Sequence, residues 1–266
     1  MTSIIQKYNW FVDLFRSTHG CSQYLTYRVT HQRHDSLMKR IRNSPEKIYE
    51  AVETKLIATT LRSIQQPIVL DIGANIGLMS LNICSTIQDS RIFAFEPGPG
   101  QYQYLKKNIE INQLNERVKI FNIALGSHSG KIDFHVHAIK DSSGDGLLDT
   151  GRAGHAQVVK INCERLNNWW HLNHEPSVAL IKLDTEGSEL SILEHGIELI
   201  DQCRPHILIE ICHLNYEMYG LKFSDYLDFF KIIDYTLINC ETNEVVIEYN
   251  QEILNQFYFW AKPNGN

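Results

Sequence analysis

The chain has 266 residues, of which 43% are hydrophobic and 21% are charged, and its formal net charge is −6. This length suits one α/β domain with added segments, and the composition is typical of a globular protein rather than a disordered one. The acidic balance gives no reason to expect a polyanionic partner, so we expect no nucleic-acid partner.

The six cysteines are scattered along the chain without a C-x-x-C pair. This distribution favours a reducing compartment over a disulfide framework. No stretch of the sequence approaches the length of a membrane span. We therefore expect a cytoplasmic protein with no membrane span.

The first 62 residues contain no repeats and are predicted to form an N-terminal helical cap. Within this segment, Ile48, Val52, Leu56 and Leu61 have a spacing that would line one apolar face of a helix. The cap is predicted to lead into a main domain over residues 63–266.

From Pro67 onward, short apolar runs alternate with segments of helical periodicity. The runs IVLDIG, RIFAFE and VKIFN are typical of strands buried on both faces, and residues 76–87 and 98–112 between them are predicted helices. This βαβαβ order predicts a parallel sheet with right-handed crossovers.

Residues 126–175 interrupt that order. The segments KIDFHVH and AQVVKINCERL alternate like the two strands of an inserted β-hairpin. The glycine-rich loop between them, residues 141–154, is predicted to act as a lid over the site, with a flexible surface loop that has no role as the alternative. Trp169 and Trp170 are expected to pack the insert against the main domain.

The strand–helix alternation resumes after the insert. SVALIKLD and PHILIEIC predict two more buried strands, residues 186–196 and 224–233 predict helices, and the C-terminal runs predict an antiparallel edge. The predicted fold class is therefore α/β, with a seven-stranded, mostly parallel sheet, helices on both faces, the helical cap and the hairpin insert.

The stretch VLDIGANIG carries the clearest chemistry. Gly73 and Gly77 in a strand-to-helix turn let a ligand approach the backbone, where the helix presents its N–H groups. Glu96 ends the next strand, and an acid there can accept hydrogen bonds from both ribose hydroxyls of an adenosine. The sequence therefore predicts an adenosine-ligand site at the carboxyl edge of the sheet.

Asp71 helps to choose between two adenosine ligands. Its negative charge would favour the sulfonium and ammonium groups of S-adenosylmethionine (SAM) and would repel the pyrophosphate of NAD. The third glycine of the dinucleotide fingerprint is also missing. An NAD-dependent oxidoreductase and a non-catalytic SAM-binding module remain the alternatives.

These motifs, together with NIALGSHSG and IKLDTEGSELSILEHG, make the chain resemble the FkbM-type methyltransferase family. The resemblance implies a class I SAM-dependent fold whose last strand is antiparallel, and O-methylation of a hydroxyl on a sugar, glycolipid or polyketide-type natural product. The acceptor would thus be a small molecule or a glycan. By position in the motifs, the resemblance also implies these cofactor-binding residues: Asp71, Gly73, Ala74, Asn75 and Gly77 near the methionine part, Glu96 and Pro97 near the ribose, and Asn122, Ile123 and Ala124 near the adenine.

Three polar residues at the ends of later strands are candidates for catalysis. Asp184, Glu210 and His213 follow two neighbouring strands, so they are expected to converge on the acceptor. His213 is the predicted general base, because its unperturbed pKa lies near neutrality. No dedicated metal site is predicted. As an alternative, Asp184 and Glu210 would bind Mg²⁺, and the metal would acidify the acceptor hydroxyl.

Overall fold

A computed structural model of the chain describes residues 19–32, 35–137, 145–149, 156–249, 253 and 256–265. The N-terminal part contains strands β1 (His19–Tyr24) and β2 (Tyr27–Gln32), followed by helices α1 (Ser36–Asn43) and α2 (Ala51–Leu61). The next elements are β3 (Ile68–Ile72), α3 (Leu78–Thr86), β4 (Arg91–Phe95), α4 (Pro99–Ile111) and β5 (Val118–Phe121).

The insert contributes β6 (Ala124–Leu125), β7 (Gly130–His137) and β8 (Ala156–Glu164). After it come α5 (Leu166–Leu172), β9 (Val178–Leu183), α6 (Glu189–Glu194), α7 (Ile197–Cys203) and β10 (His206–Glu210). The chain continues with α8 (His213–Tyr216), a 3₁₀ turn (Glu217–Tyr219), α9 (Phe223–Ile232), β11 (Tyr235–Asn239) and β12 (Tyr258–Pro263).

Seven strands form the central sheet, in the order β11-β12-β10-β9-β3-β4-β5. The pairs among β10, β9, β3, β4 and β5 are parallel, whereas β12 pairs antiparallel with both of its neighbours. This arrangement confirms the predicted seven-stranded sheet with a reversed last strand. Because the strand order turns back between β3 and β9, a crevice opens above the carboxyl ends of these two strands.

Side chains alternate along the strands and divide the core between the two faces of the sheet. Ile72 and Leu183 belong to one apolar cluster, and Val69 and Leu180 belong to the other. Trp169 is buried in the first cluster, with ring-centroid distances of 4.8–5.5 Å to three phenylalanines of β4 and β5. The insert is thereby anchored to the sheet, as predicted.

The insert itself is a three-stranded sheet in the order β6-β8-β7, with β7 and β8 paired antiparallel. The predicted hairpin is therefore confirmed. Of the predicted lid, residues 145–149 are described, and the rest of residues 141–154 lies outside the described residues.

The helical prediction for residues 1–62 holds at α1 and α2 but is wrong at residues 19–32, which form a β-hairpin. The outer edge of this hairpin pairs with two asparagine side chains, one in α4 and one directly after this helix. Asn108 bonds both the N–H and the carbonyl of Thr30, and Asn112 does the same for Arg28. These two amides take the place of a neighbouring strand and satisfy the edge's backbone groups.

The predicted apolar face of α2 also needs correction. Leu61 is buried as predicted, but Val52 is 48% exposed, and Ile57 and Ala58 are buried instead. The helix turns this other face towards α3, because that is where apolar surface is available. Among the described helices, none is both long and apolar enough to cross a bilayer.

Candidate active site

The turn between β3 and α3 has a backbone that requires glycine. Gly73 has a φ of 78°, and a Cβ there would lie 1.8 Å from the carbonyl oxygen of Asp184. Gly77 has a φ of 92° and starts α3. The N–H groups of Gly73 and Ala74 both donate to the carbonyl of Phe95, at 3.0 and 2.9 Å. The turn is therefore held tightly between the ends of β4 and β9.

Glu96 lies directly beyond β4, and its side chain closes one side of this turn. Its two carboxylate oxygens accept the N–H of Asn75 at 2.8 Å and the N–H of Gly98 at 2.7 Å. Burial raises the pKa of Glu96 to about 7, although these two N–H groups lower it. Each oxygen keeps a second lone pair for a ligand, as ribose recognition requires.

A cavity of about 510 Å³ opens at this carboxyl edge of the sheet. Its size lies within the range of about 300–1,000 Å³ that is usual for small-molecule sites. Eight of the residues predicted for the site line it: Gly73, Asn75, Glu96, Pro97, Ile123, Ala124, Asp184 and Glu210. The structure thus brings these eight predicted residues, which come from the carboxyl ends of five strands, into one space.

Asp71 does not line the cavity. It is fully buried and accepts a 2.6 Å hydrogen bond from Ser80, and its other oxygen lies 3.7 Å from the ammonium of Lys182. Its charge is therefore compensated inside the protein. The prediction that Asp71 itself faces a cationic ligand is not supported by this geometry, and the acids that line the cavity are Asp184, Glu210, Glu50 and others.

Three more predicted cofactor residues, Ala74, Gly77 and Asn122, do not line the cavity. Ala74 is buried and Gly77 starts α3 without lining the cavity. Asn122 donates from its side-chain amide to the carbonyls of Glu96 and Pro97, at 2.8 and 3.1 Å. It therefore fixes the end of β4 to the end of β5.

Lys182 is a buried cation that the sequence reasoning missed. Its ammonium donates to the carbonyl of Gly73 at 3.1 Å and lies 3.3 Å from Asp184. Burial alone would lower the pKa of Lys182, but the carboxylates of Asp184, Asp71 and Glu50 raise it above its usual value. One charged residue inside the apolar run VALIKL was the signal for it.

Asp184 and Glu210 meet in the cavity, but His213 does not line it. Burial and then the charge of Asp184 raise the pKa of Glu210 well above its usual value. His213 lies at the start of α8, and its Nδ1 is buried without a hydrogen-bond partner among the described residues. Because His213 is not among the residues that line the cavity, the general-base assignment to it lacks geometric support.

The acids of the cavity do not fit the alternative Mg²⁺ site. Asp184 already pairs with Lys182 and accepts a hydrogen bond from the Tyr258 hydroxyl at 2.9 Å. Within the described ranges, no group of three or more His, Cys, Asp or Glu residues is arranged to hold a metal ion. The donors needed for a hard divalent cation are therefore not assembled.

Two further lining residues come from the ends of the chain. Glu50 precedes α2 with a left-handed backbone, φ 47°, and Tyr258 begins β12. The Tyr258 hydroxyl is bonded to the carboxyl of Glu50 as well as to Asp184. Burial and the charge of Asp184 raise the pKa of Glu50 to about 8. No local pattern pointed to either residue.

The insert closes the side of the cavity near Ile123. Asp145 accepts hydrogen bonds from the side chain of Gln101 at 2.7 Å and from the N–H of His137 at 2.8 Å, and Leu147 lines the cavity beside it. His137 is buried.

Comparisons with known proteins identify relatives of this chain. A family model described as "Methyltransferase FkbM domain" matches residues 71–251. The "2-O-methyltransferase NoeI" of Sinorhizobium fredii is 24% identical over 189 residues, which are 64% of this chain and 74% of that protein. The "Hexuronic acid methyltransferase AglP" of Haloferax volcanii is 29% identical over 160 residues, which are 60% of this chain and 62% of that protein.

Among solved structures, the FkbM methyltransferase of Methylobacillus flagellatus KT is similar with a TM-score of 0.47 and 16% identity. The match covers 74% of this chain and 43% of that one. The family model spans most of the chain and contains the glycine turn, Glu96 and Asp184. The chain therefore belongs to the FkbM methyltransferase family.

Proposed function

We propose that this chain transfers a methyl group from SAM to a hydroxyl of a sugar, glycolipid or polyketide-type natural product. One observation carries the proposal: the glycine turn and the buried Glu96 line the same cavity as the carboxyls of Asp184 and Glu210. When bound, SAM supplies an activated methyl group on a positively charged sulfur. The residues of this chain then have to bind SAM and the acceptor, orient them relative to each other, and accept the proton of the acceptor hydroxyl.

The cavity offers a suitable partner for each part of SAM. Gly73 and Asn75 are placed for the methionine part, Glu96 for the ribose, and the apolar Ile123 and Leu147 for the adenine. The acids near Gly73 favour a cationic sulfur, since opposite charges attract more strongly in a buried site. The pyrophosphate of NAD would meet the same acids, so the oxidoreductase alternative is disfavoured.

The acceptor side lies on the acidic part of the cavity. Glu50, Asp184, Glu186 and Glu210 line it, and the Arg40 side chain lines it from α1. Carboxylates readily accept hydrogen bonds from hydroxyl groups but repel an anionic acceptor. The names of NoeI and AglP indicate 2-O-methylation and a hexuronic acid, and for this chain we propose an uncharged hydroxyl acceptor.

The cap also takes part in this proposal. Residues 1–62 are proposed as a cap on a methyltransferase domain at residues 63–266, since Leu37, Ile41, Ile48 and Tyr49 cover one side of the cavity. A cap that excludes water would strengthen the electrostatic interactions inside the site.

The test is formation of S-adenosylhomocysteine (SAH) from SAM in the presence of a panel of methyl glycosides. Each neutral methyl hexoside is paired with the methyl uronoside of the same configuration. We expect turnover with a neutral member, little with its uronoside, and no loss of activity in EDTA. Binding of NAD in preference to SAM would contradict the proposal, as would SAM binding without SAH formation for any hydroxyl acceptor.

A further inference from the structure

The carboxyl of Glu50 is a candidate for direct contact with a bound ligand. It lines the cavity, and its Oε2 is buried without a hydrogen-bond partner among the described residues. A buried carboxylate oxygen without a donor is costly in a folded protein unless a ligand or a proton compensates it. Glu50 lies outside the residues matched by the family model, 71–251.

A single hydroxyl connects Glu50 to a second acid. Tyr258 Oη is within hydrogen-bond reach of both Glu50 Oε1 and Asp184 Oδ2. A phenol has one proton and donates it to one acceptor at a time. Both contacts are hydrogen bonds at the same moment only if one of the two carboxyls carries a proton. The three side chains therefore form a chain of groups that shares protons.

This chain of groups lies beside the turn that would hold the methionine part of SAM. The backbone carbonyl of Asp184 packs directly on Gly73, and the N–H of Asp184 donates to the carbonyl of Ile72 at 3.1 Å. On its other side, Asp184 is fixed by Lys182 at 3.3 Å. Glu50 is thus the end of the chain with a free acceptor atom.

We propose that Glu50 is the general base of the methyl transfer, with Tyr258 and Asp184 as its positioning partners. The proposal rests on the proposed function. As the acceptor oxygen forms its bond to the methyl carbon, the carbon–sulfur bond breaks and its electron pair stays on sulfur. The hydroxyl proton of the acceptor passes to Glu50 Oε2. The sulfonium becomes a neutral thioether, and no other reactant is needed.

Several charged and titratable groups face Glu50 and set its proton affinity. Lys182 of β9 and Asp184 after it lie on one side, and Tyr258 of β12 on another. The remaining groups are Tyr24 and Tyr49 of the N-terminal segment and Cys240 at the end of β11. Burial and then the charge of Asp184 favour the protonated carboxyl, whereas Lys182 and hydrogen bonding with the Tyr258 and Tyr49 hydroxyls favour the ionised one. A sulfonium bound beside Asp184 would add a positive charge and so favour the ionised base.

The proposal can be tested without an identified acceptor. SAM and SAH differ at the reacting sulfur, which is charged in SAM and neutral in SAH. Calorimetric binding of each ligand in two buffers of different ionisation enthalpy gives the number of protons released. Protons that Glu96 exchanges on ribose binding are common to both ligands and cancel in the difference.

We expect wild-type protein at pH 7.5 to release about 0.5 proton more with SAM than with SAH. This value follows from lowering a pKa of about 8 by at least one unit, the effect of an opposite charge within about 4–6 Å. Glu50→Gln should abolish the difference while still binding SAM. Glu53→Gln is the matched control, because Glu53 is a buried glutamate of α2 that does not line the cavity.

Equal proton release for SAM and SAH in the wild-type protein would overturn the proposal, whether or not the variant folds. A difference that persists in Glu50→Gln would overturn it too. With a neutral glycoside as acceptor, Glu50→Gln should lower turnover by about 10²–10⁴-fold. Unchanged turnover in that variant would assign the base elsewhere. Failure to bind SAM at all would instead refute the proposed function.

Discussion

Glu96 allows the sharpest test of the cofactor site. Replacing it by glutamine keeps its shape and removes its charge. In the structure, the N–H groups of Asn75 and Gly98 each donate to a different oxygen of Glu96. The amide has only one oxygen, so a bound ribose loses at least one charge-assisted hydrogen bond. Such a bond contributes about 1.5–3 kcal/mol, so the Kd for SAM should rise about 10- to 150-fold.

Glu189→Gln provides a matched control for this change. Glu189 is also buried, burial also raises its pKa to about 7, and it likewise accepts backbone N–H groups, from Thr185 at 2.7 Å and Gly187 at 3.2 Å. It does not line the cavity. Its replacement should therefore change the Kd by no more than about twofold, as is usual for a site without ligand contact.

The assay is titration calorimetry with SAM at pH 8, where most Glu96 carboxyls are ionised. Circular dichroism confirms that both variants are folded. If Glu96→Gln binds SAM within twofold of the wild type, the ribose assignment is wrong. If both variants weaken binding equally, the effect comes from loss of a buried acid in general and not from contact with the ligand.

Three more outcomes follow from the same geometry. Asp184→Asn should reduce turnover more than SAM affinity, because we propose that Asp184 acts on the acceptor side; kcat and SAM Kd measured together check this. Gly73→Ala should lower the free energy of unfolding, measured in urea, by at least about 2 kcal/mol, because the new methyl group clashes with a carbonyl and φ is positive. Gly220→Ala is the control: its φ is also positive, at 71°, but the new methyl group meets open space, so the loss should be only about 1 kcal/mol. The raised pKa values of Glu96 and Glu189 mean that the native state holds protons that the unfolded state releases near pH 4.5. The free energy of unfolding should therefore fall as pH rises towards 7, by at least about 2 kcal/mol between pH 5.5 and 8 in denaturant titrations. A free energy of unfolding that does not change over this range would contradict the burial of Glu96 and Glu189.

The central sheet and the glycine turn beside Glu96 could be predicted from local sequence patterns. Buried parallel strands have continuous apolar runs, and the glycines of the turn and Glu96 stand next to those runs. Right-handed crossovers then leave few possible strand orders. Gly73 and Glu96 line the cavity because both follow directly from a strand end, so local pattern and topology suffice to place them.

Which charged side chains line the cavity depends on tertiary packing. Asp71 and Asp184 both follow apolar runs, yet Lys182 and Ser80 hold the first inside the protein while the second lines the cavity. Side-chain direction at a strand end depends on the neighbouring strand, which the sequence does not show. His213, chosen for its chemistry alone, starts a short helix outside the cavity lining.

The same reason explains the residues that the sequence did not reveal. Glu50 and Tyr258 are 208 residues apart, and each pairs with a group that has no periodic relation to it. The outer edge of the N-terminal hairpin is satisfied by Asn108 of α4 and by Asn112 directly after this helix, contacts that no local pattern in residues 19–32 reveals. Contacts between distant segments depend on packing of the whole chain, whereas hydrophobic periodicity reports on one element at a time.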